Sequence, residues 1–71
     1  MKHLEERIIS MDEFETLSEN RKRIFKVSYV HNMKPHIRLE KIFQKKQYVH
    51  QLLNDPNIER VKLYVGDVVV E

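Results

Sequence analysis

The 71-residue sequence predicts a two-layer α+β domain in which two short helices lie on one face of an antiparallel sheet. Two observations predict this class. Residues 23–31 and 36–43 alternate apolar and polar side chains, as half-buried strands do. Residues 11–19 and 44–54 instead space their apolar side chains three or four positions apart, as helices do. We expect one domain spanning residues 1–71, because a chain this short builds one core.

The N-terminal part predicts a strand over about residues 4–9 followed by a helix over about 11–19. The strand segment is short and rich in isoleucine. Ser10 with Glu13 three positions later matches a capping box, which marks a helix start. An alternative is one continuous helix over residues 4–17. The apolar stripe of the shorter helix consists of Met11, Phe14 and Leu17.

The two central strands should form a hairpin whose register follows from their apolar residues. Directly opposed residues share a face of the sheet. Pairing Phe25 with Phe43 and Tyr29 with Leu39 keeps the apolar side chains together. This register requires an odd number of loop residues, and we expect a five-residue loop, residues 32–36.

The C-terminal part predicts a helix over about residues 44–54 and a second hairpin. Asn54, Asp55 and Pro56 should end the helix, whose apolar residues are Val49, Leu52 and Leu53. Gly66 and Asp67 fit a two-residue turn, which would leave residues 68–71 as a short last strand.

The predicted order of elements is ferredoxin-like, βαββαβ, with a short C-terminal hairpin strand added. If the first strand does not form, the alternative is a ββαββ arrangement on one sheet. In either arrangement we expect the last strand, "VVVE", to be a short edge able to pair with another chain.

The net charge of +2 hides a strongly basic middle. Residues 21–46 carry nine basic side chains and one acidic one, whereas residues 1–20 and 47–71 are both net acidic. Such a segment can bind phosphate or an acidic partner, or it can be neutralised by the acidic ends folding beside it. The candidate anion or nucleic-acid contacts are Arg21, Lys22, Arg23, Lys26, Arg38, Lys45 and Lys46.

The sequence offers little support for catalysis or cofactor binding. Its single glycine leaves no Gly-rich phosphate loop, and we predict no catalytic residues, no cofactor, no small-molecule substrate and no enzyme activity. His31 and His36 flank the predicted loop but do not oppose each other, and no cysteine completes a metal site, so none is predicted. No apolar run has membrane-spanning length, no signal peptide is evident, and the absence of cysteine fits a reducing cytoplasm.

The predicted function is therefore that of a small interaction module, with nucleic-acid binding through residues 21–46 as the alternative. A protein partner or a second copy of the chain would bind the sheet face opposite the helices. That face should mix apolar and charged side chains, which often marks association. The candidate interface residues are Val30, Ile42, Tyr64 and Val69.

The pattern "RIFKVSYV…HIRLEKIFQKKQYVHQLL…IERVKLYVGDVVVE", residues 23–71, resembles small phage- and prophage-encoded proteins of bacteria. The resemblance lies in a hairpin, a Phe-led helix and a closing strand. It implies a bacterial cytoplasm and a role in modulating a host or phage protein. It assigns no functional residues.

Overall fold

Four strands and two helices follow one another in a computed structural model that describes residues 2–70. The elements, in chain order, are β1 (Lys2–Ile9), α1 (Met11–Thr16), β2 (Arg23–His31), β3 (Lys34–Phe43), α2 (Lys46–Leu53) and β4 (Ile58–Val70). The first segment is a strand, so the continuous N-terminal helix and the ββαββ alternative are both wrong.

The strands form one antiparallel sheet in the order β1-β4-β2-β3. Strands β4 and β2 are central, and β1 and β3 are the edges. The predicted α+β class, with an antiparallel sheet and two helices, is confirmed. The strand order β1-β4-β2-β3 does not confirm the ferredoxin-like arrangement. The 13 residues of β4 account for the 42 Å length of the molecule, since a strand rises about 3.3 Å per residue.

The predicted C-terminal hairpin is wrong, because β4 runs straight through Gly66 and Asp67. Gly66 opposes Glu6 of β1 on one side and Ile24 of β2 on the other, and its φ is not positive. A turn there would leave β1 without a partner for its first half. The predicted edge, residues 68–70, is consequently the end of β4 and pairs with the start of β1.

The predicted register of the β2–β3 hairpin is confirmed, whereas the predicted loop is wrong. Phe25 opposes Phe43 and Tyr29 opposes Leu39. The turn contains only residues 32–33, and His31 opposes Lys34. Between the pairs Val30–Arg38 and His31–Lys34, β2 advances one residue and β3 advances four. This bulge of three extra residues, and not an odd loop, keeps the apolar side chains on one face.

Both helices pack on the same face of the sheet through one buried aromatic cluster. Phe14 of α1 is fully buried and meets the Phe25 ring edge-on, with centroids 5.1 Å apart. Val49 of α2 joins the same core beside Val27 and Val65. We call this the closed face of the sheet.

The predicted start of α1 is confirmed by its cap. The Glu13 N–H donates to the Ser10 hydroxyl at 3.1 Å, which satisfies one of the helix's free amide groups. The Glu13 carboxylate pairs with Arg7 of β1, which ties the helix to the preceding strand. The helix is shorter than predicted, ending at Thr16.

Candidate interaction surface

The sheet face opposite the helices is formed by alternate residues of all four strands. We call it the open face. Cross-strand pairing places Ile8, Tyr64, Lys26 and Ile42 in one row across the sheet, in that order. Neighbouring positions on the same face include Leu4, Glu6, Ile24, Glu40, Val68 and Val70.

Lys26 lies at the centre of the open face and is neutralised by carboxylates from both edge strands. Its ammonium is 2.9 Å from Glu6 Oε2 on β1 and 3.2 Å from Glu40 Oε2 on β3. It also lies over the Tyr64 ring, 4.8 Å from the centroid. The hydrogen bond to Glu6, followed by that to Glu40, raises the pKa of Lys26 above its ordinary value.

Large aliphatic side chains surround this charged cluster and remain exposed to solvent. Leu4 is 44% exposed, Ile8 61%, Ile42 60% and Val70 57%. These four lie on β1, β3 and the end of β4. The open face therefore combines an internally paired ionic centre with an apolar periphery.

Gly66 shapes the surface next to the ionic centre. A Cβ at this position would lie 3.0 Å from Ile24 Cγ1 and 3.1 Å from Leu4 Cδ1. The missing side chain thus lets the Leu4 and Ile24 side chains close over the strand from both sides. The glycine serves close packing on the open face and not a turn.

The structure brings two of the four predicted interface residues together and separates the other two. Ile42 and Tyr64 lie in the central row of the open face, Ile42 exposed and Tyr64 half-buried beside Lys26. Val69 lies on the closed-face side, because β4 makes no turn before it. Val30 is on the open face but only 4% exposed.

The Arg38 side chain explains why Val30 is buried. Arg38 directly opposes Val30, and its guanidinium donates to the Ser28 hydroxyl at 2.9 Å and to the Arg60 carbonyl at 3.1 Å. The side chain therefore extends over β2. Arg60 has a φ of 53° where the β2–β4 register shifts, so Arg38 also satisfies a carbonyl at this irregular point of the ladder.

Four of the seven predicted anion contacts have intramolecular partners. Lys26 and Arg38 have those just described, and Arg23 binds Asp67 at 2.7 Å and the Ser18 carbonyl at 2.9 Å. Glu6 and Asp67 come from the two acidic ends of the chain. Neutralisation by the acidic ends, the alternative left open by the charge pattern, is therefore what the structure shows at Lys26 and Arg23.

Lys46, the fourth of these residues, joins the two helices. Its ammonium donates to the carbonyls of Glu15 and Leu17, each at 3.0 Å, and lies 5.2 Å from the centre of the Phe14 ring. A cation at the C-terminal end of α1 also suits the helix dipole. Lys46 is the first residue of α2, but its side chain caps the C-terminal end of α1.

The other three predicted contacts lie near one another at one end of the sheet. Arg21 and Lys45 line the same shallow depression together with Glu19, and Lys22 adjoins Arg21 in sequence. Within residues 2–70 the side chains of these three have no ion pair or hydrogen bond. Lys45 is also the N-cap of α2, and its side chain makes no capping hydrogen bond.

Among residues 2–70, no helix combines the length and apolar character needed to cross a bilayer. In the same part of the chain, no three histidine or acidic side chains converge in a way that could hold a metal ion. His31 instead accepts a hydrogen bond from the Met33 N–H in the hairpin turn.

Sequence reasoning missed Leu4, Ile8 and Val70 as surface residues of the open face. Leu4 and Ile8 are four positions apart, so the sequence alone places them on the same face of β1. Only the β1–β4 register shows that this face of β1 belongs to the open face of the sheet. No partner strand for β1 was predicted from the sequence.

Comparisons with protein-family models, with curated proteins and with solved structures give no match to this chain.

Proposed function

We propose that this protein is a non-enzymatic interaction module that binds a protein partner through the open face of its sheet. The observation that carries the proposal is the group of four aliphatic side chains, each 44–61% exposed, around the ionic centre at Lys26. Several large aliphatic side chains exposed on one face in this way are typical of association surfaces. That the partner belongs to a phage or its bacterial host stays a prediction of the resemblance.

The charge arrangement of the open face favours a protein over a nucleic acid. Lys26 is already bound by two carboxylates, and a phosphate would have to displace them. Glu6 and Glu40 would also repel a polyanion. A protein surface, in contrast, can cover the aliphatic side chains while the paired charges stay hydrogen-bonded.

Affinity capture from a lysate of the source cells, with and without nuclease, tests the proposal. The baits are the wild-type chain, Ile8→Lys on the open face, and Met33→Lys as a matched control. Met33 is also a large apolar side chain and is 79% exposed, but it lies in the β2–β3 turn. We expect wild type and M33K to retain the same protein, and I8K to lose it, because a cation would be placed against an apolar contact.

Nuclease treatment should leave the captured protein unchanged. A protein retained equally by I8K and wild type, or released by nuclease, would contradict binding through the open face. Circular dichroism of the three baits confirms that each is folded.

A second proposal, nucleic-acid binding, rests on the end of the sheet where Arg21, Lys22 and Lys45 have no intramolecular side-chain partners within residues 2–70. Three such cations would give a sequence-tolerant phosphate contact whose affinity falls steeply with salt. The test is fluorescence anisotropy with mixed single- and double-stranded oligonucleotides at low and at moderate salt, comparing wild type with the triple alanine variant. No binding by wild type at low salt would end this proposal.

A further inference from the structure

The regular part of the edge strand β3 is its C-terminal part, residues 38–43. These residues pair one-to-one with residues 25–30 of β2, whereas the three extra residues of the bulge lie between Lys34 and Arg38. No other described strand pairs with the outer side of β3, and residues 34–42 are all exposed. The regular part is about 20 Å long, enough to accept one more strand.

The bonds of β2 to β4 show which backbone groups of β3 are used inside the sheet. At one end of β2, the Val68 N–H donates to the Lys22 carbonyl at 2.8 Å. At the other end, the Asn32 N–H donates to the Asn57 carbonyl at 2.8 Å. Because the bonding direction alternates along a strand, even-numbered residues of β2 bond to β4 and odd-numbered residues bond to β3.

The backbone groups of every second residue of β3 therefore point out of the sheet. Phe25 opposes Phe43 and Tyr29 opposes Leu39, so the odd-numbered residues of β3 bond to β2. The residues between them direct their N–H and C=O groups outward, and they are Arg38, Glu40 and Ile42. Since the Arg38 and Glu40 side chains turn inward over β2, they do not cover these groups.

A depression of about 270 Å³ adjoins this edge on the closed-face side, between β3 and α2. It is lined by Lys41, Phe43, Tyr48, Gln51, Leu52 and Asp55. The Tyr48 side chain is 45% exposed, and Phe43 and Leu52 are half-buried. Asp55 accepts a hydrogen bond from the Asn57 N–H at 2.9 Å. Every second side chain of a strand added to β3 would point toward this depression.

Lys41 gives the edge a cation that is free to bind a carboxylate. Within residues 2–70, its side chain has no ion pair or hydrogen bond. Residues 34–45 carry four basic side chains and one acidic one, Glu40, which is paired with Lys26. The closed-face side chains of the regular part are, in order, Leu39, Lys41 and Phe43. This edge complements a strand whose side chains read apolar, acidic, apolar at alternate positions.

A second copy of β3 does not fit the same edge. Antiparallel pairing about a two-fold axis normal to the sheet opposes one residue to its own copy. A register that keeps five of the six regular residues paired must centre on Glu40 or Lys41. Either centre opposes two like charges, which destabilises the pair. The edge therefore favours a strand of different sequence.

We infer that residues 38–43 bind an extended segment of a partner protein as a fifth, antiparallel strand of the sheet. Its acidic side chain lies opposite Lys41, and an apolar side chain opposite Phe43 lies in the depression against Tyr48. Backbone pairing supplies affinity, and the alternate side chains supply specificity. This inference does not rest on partner binding by the open face, because it uses the sheet edge and the closed-face side.

Amide hydrogen exchange, followed for each residue by NMR, tests the pairing with two capped synthetic peptides. SITETIS carries the apolar, acidic, apolar pattern, and SITKTIS differs only in its central charge. In the free chain, we expect the outward amides of Arg38, Glu40 and Ile42 to exchange faster than those of the residues between them. Excess SITETIS should slow the three outward amides about tenfold, because they then exchange only while the peptide is dissociated.

A charge swap at Lys41 tests the side-chain readout. Wild type should bind SITETIS at least about tenfold more tightly than SITKTIS, and Lys41→Glu should reverse that preference. The matched control is Lys34→Glu, which changes another exposed and unpaired lysine of β3 outside its regular part. K34E should keep the wild-type preference. So should Ile8→Lys, which separates this site from the open face.

Several results would overturn the inference. One is a failure of SITETIS, at millimolar concentration, to protect the outward amides; another is equal binding of both peptides by wild type and K41E. Outward amides that are protected in the free chain and lose protection on dilution would indicate self-pairing instead. Displacement of SITETIS by a mixed-sequence oligonucleotide at low salt would assign Lys41 to phosphate binding. If circular dichroism shows K41E to be unfolded, Lys41→Gln replaces it and should bind both peptides equally; a retained preference for SITETIS would then overturn the inference.

Discussion

The closed and open faces of the sheet are built from alternate residues of the same strands, yet they have opposite characters. On the closed face, Phe14 and Val49 from the helices seal Phe25, Val27 and Val65 completely. On the open face, isoleucines of similar size remain about 60% exposed around an ionic centre. Alternation along a strand thus divides residues between two faces, but the helices decide which face becomes the core.

The largest expected effect comes from removing the ring of Phe14, which covers the closed face of the sheet. Phe14→Ala should lower the free energy of unfolding by about 3–5 kcal/mol, because it deletes a fully buried ring and leaves a cavity beside Phe25. This is comparable to the whole stability expected of so small a domain. Thermal and urea unfolding followed by circular dichroism measure the effect.

The matched change on the open face is Ile42→Ala, and it should alter stability by less than about 0.5 kcal/mol, since the side chain is largely exposed. Similar losses for F14A and I42A would mean that the open face is also part of the folded core.

An intermediate effect is expected from Lys46, whose ammonium holds the end of α1. Lys46→Met keeps the aliphatic stem but removes two hydrogen bonds to carbonyls, and should cost about 1–2 kcal/mol. Lys45→Met is the control, since that neighbouring side chain has no hydrogen bond or ion pair within residues 2–70. Equal stability of K46M and K45M in urea unfolding would show that the helix-to-helix contact contributes nothing.

The smallest effect concerns Lys26 and appears only at alkaline pH. Because its folded pKa is raised above the ordinary value of 10.5, protonated Lys26 stabilises the fold fully below that pH. The contribution is lost as the pH rises through the folded pKa. The difference in unfolding free energy between wild type and Lys26→Met should therefore be constant at neutral pH and shrink above about pH 10.5.

Denaturant titrations of both proteins from neutral pH to beyond the folded pKa measure this difference. A difference that grows with pH, or stays unchanged across that range, would contradict the ion pairs with Glu6 and Glu40. Raising the salt concentration should reduce the difference only partly, because Lys26 is less than one-fifth exposed.

Much of the fold could be predicted because local patterns carry it. The alternation of Phe25, Val27 and Tyr29 predicted β2 and its register with β3, and Ser10 predicted the start of α1. Gly66 shows where this reasoning failed. A glycine followed by aspartate between valines favours a turn locally, but in the sheet the same glycine makes room for Leu4 and Ile24.

The candidate site was predicted only in part. Ile42 and Tyr64 do lie together on the open face, whereas Val69 was assigned to it through the false turn. The basic segment was evident from the sequence. Which of its cations have intramolecular partners was not. Two adjacent lysines, Lys45 and Lys46, are equivalent in sequence and differ completely in their surroundings.

The sequence by itself determined the element types, the register of β2 with β3, and the division of their residues between two faces. These follow from hydrophobic period and local capping, which act over a few residues. Only the tertiary structure decided the strand order, the continuity of β4 and the neutralisation of Lys26 and Arg23 by the acidic ends. Those features depend on contacts between residues 20 to 44 positions apart, which no local pattern encodes.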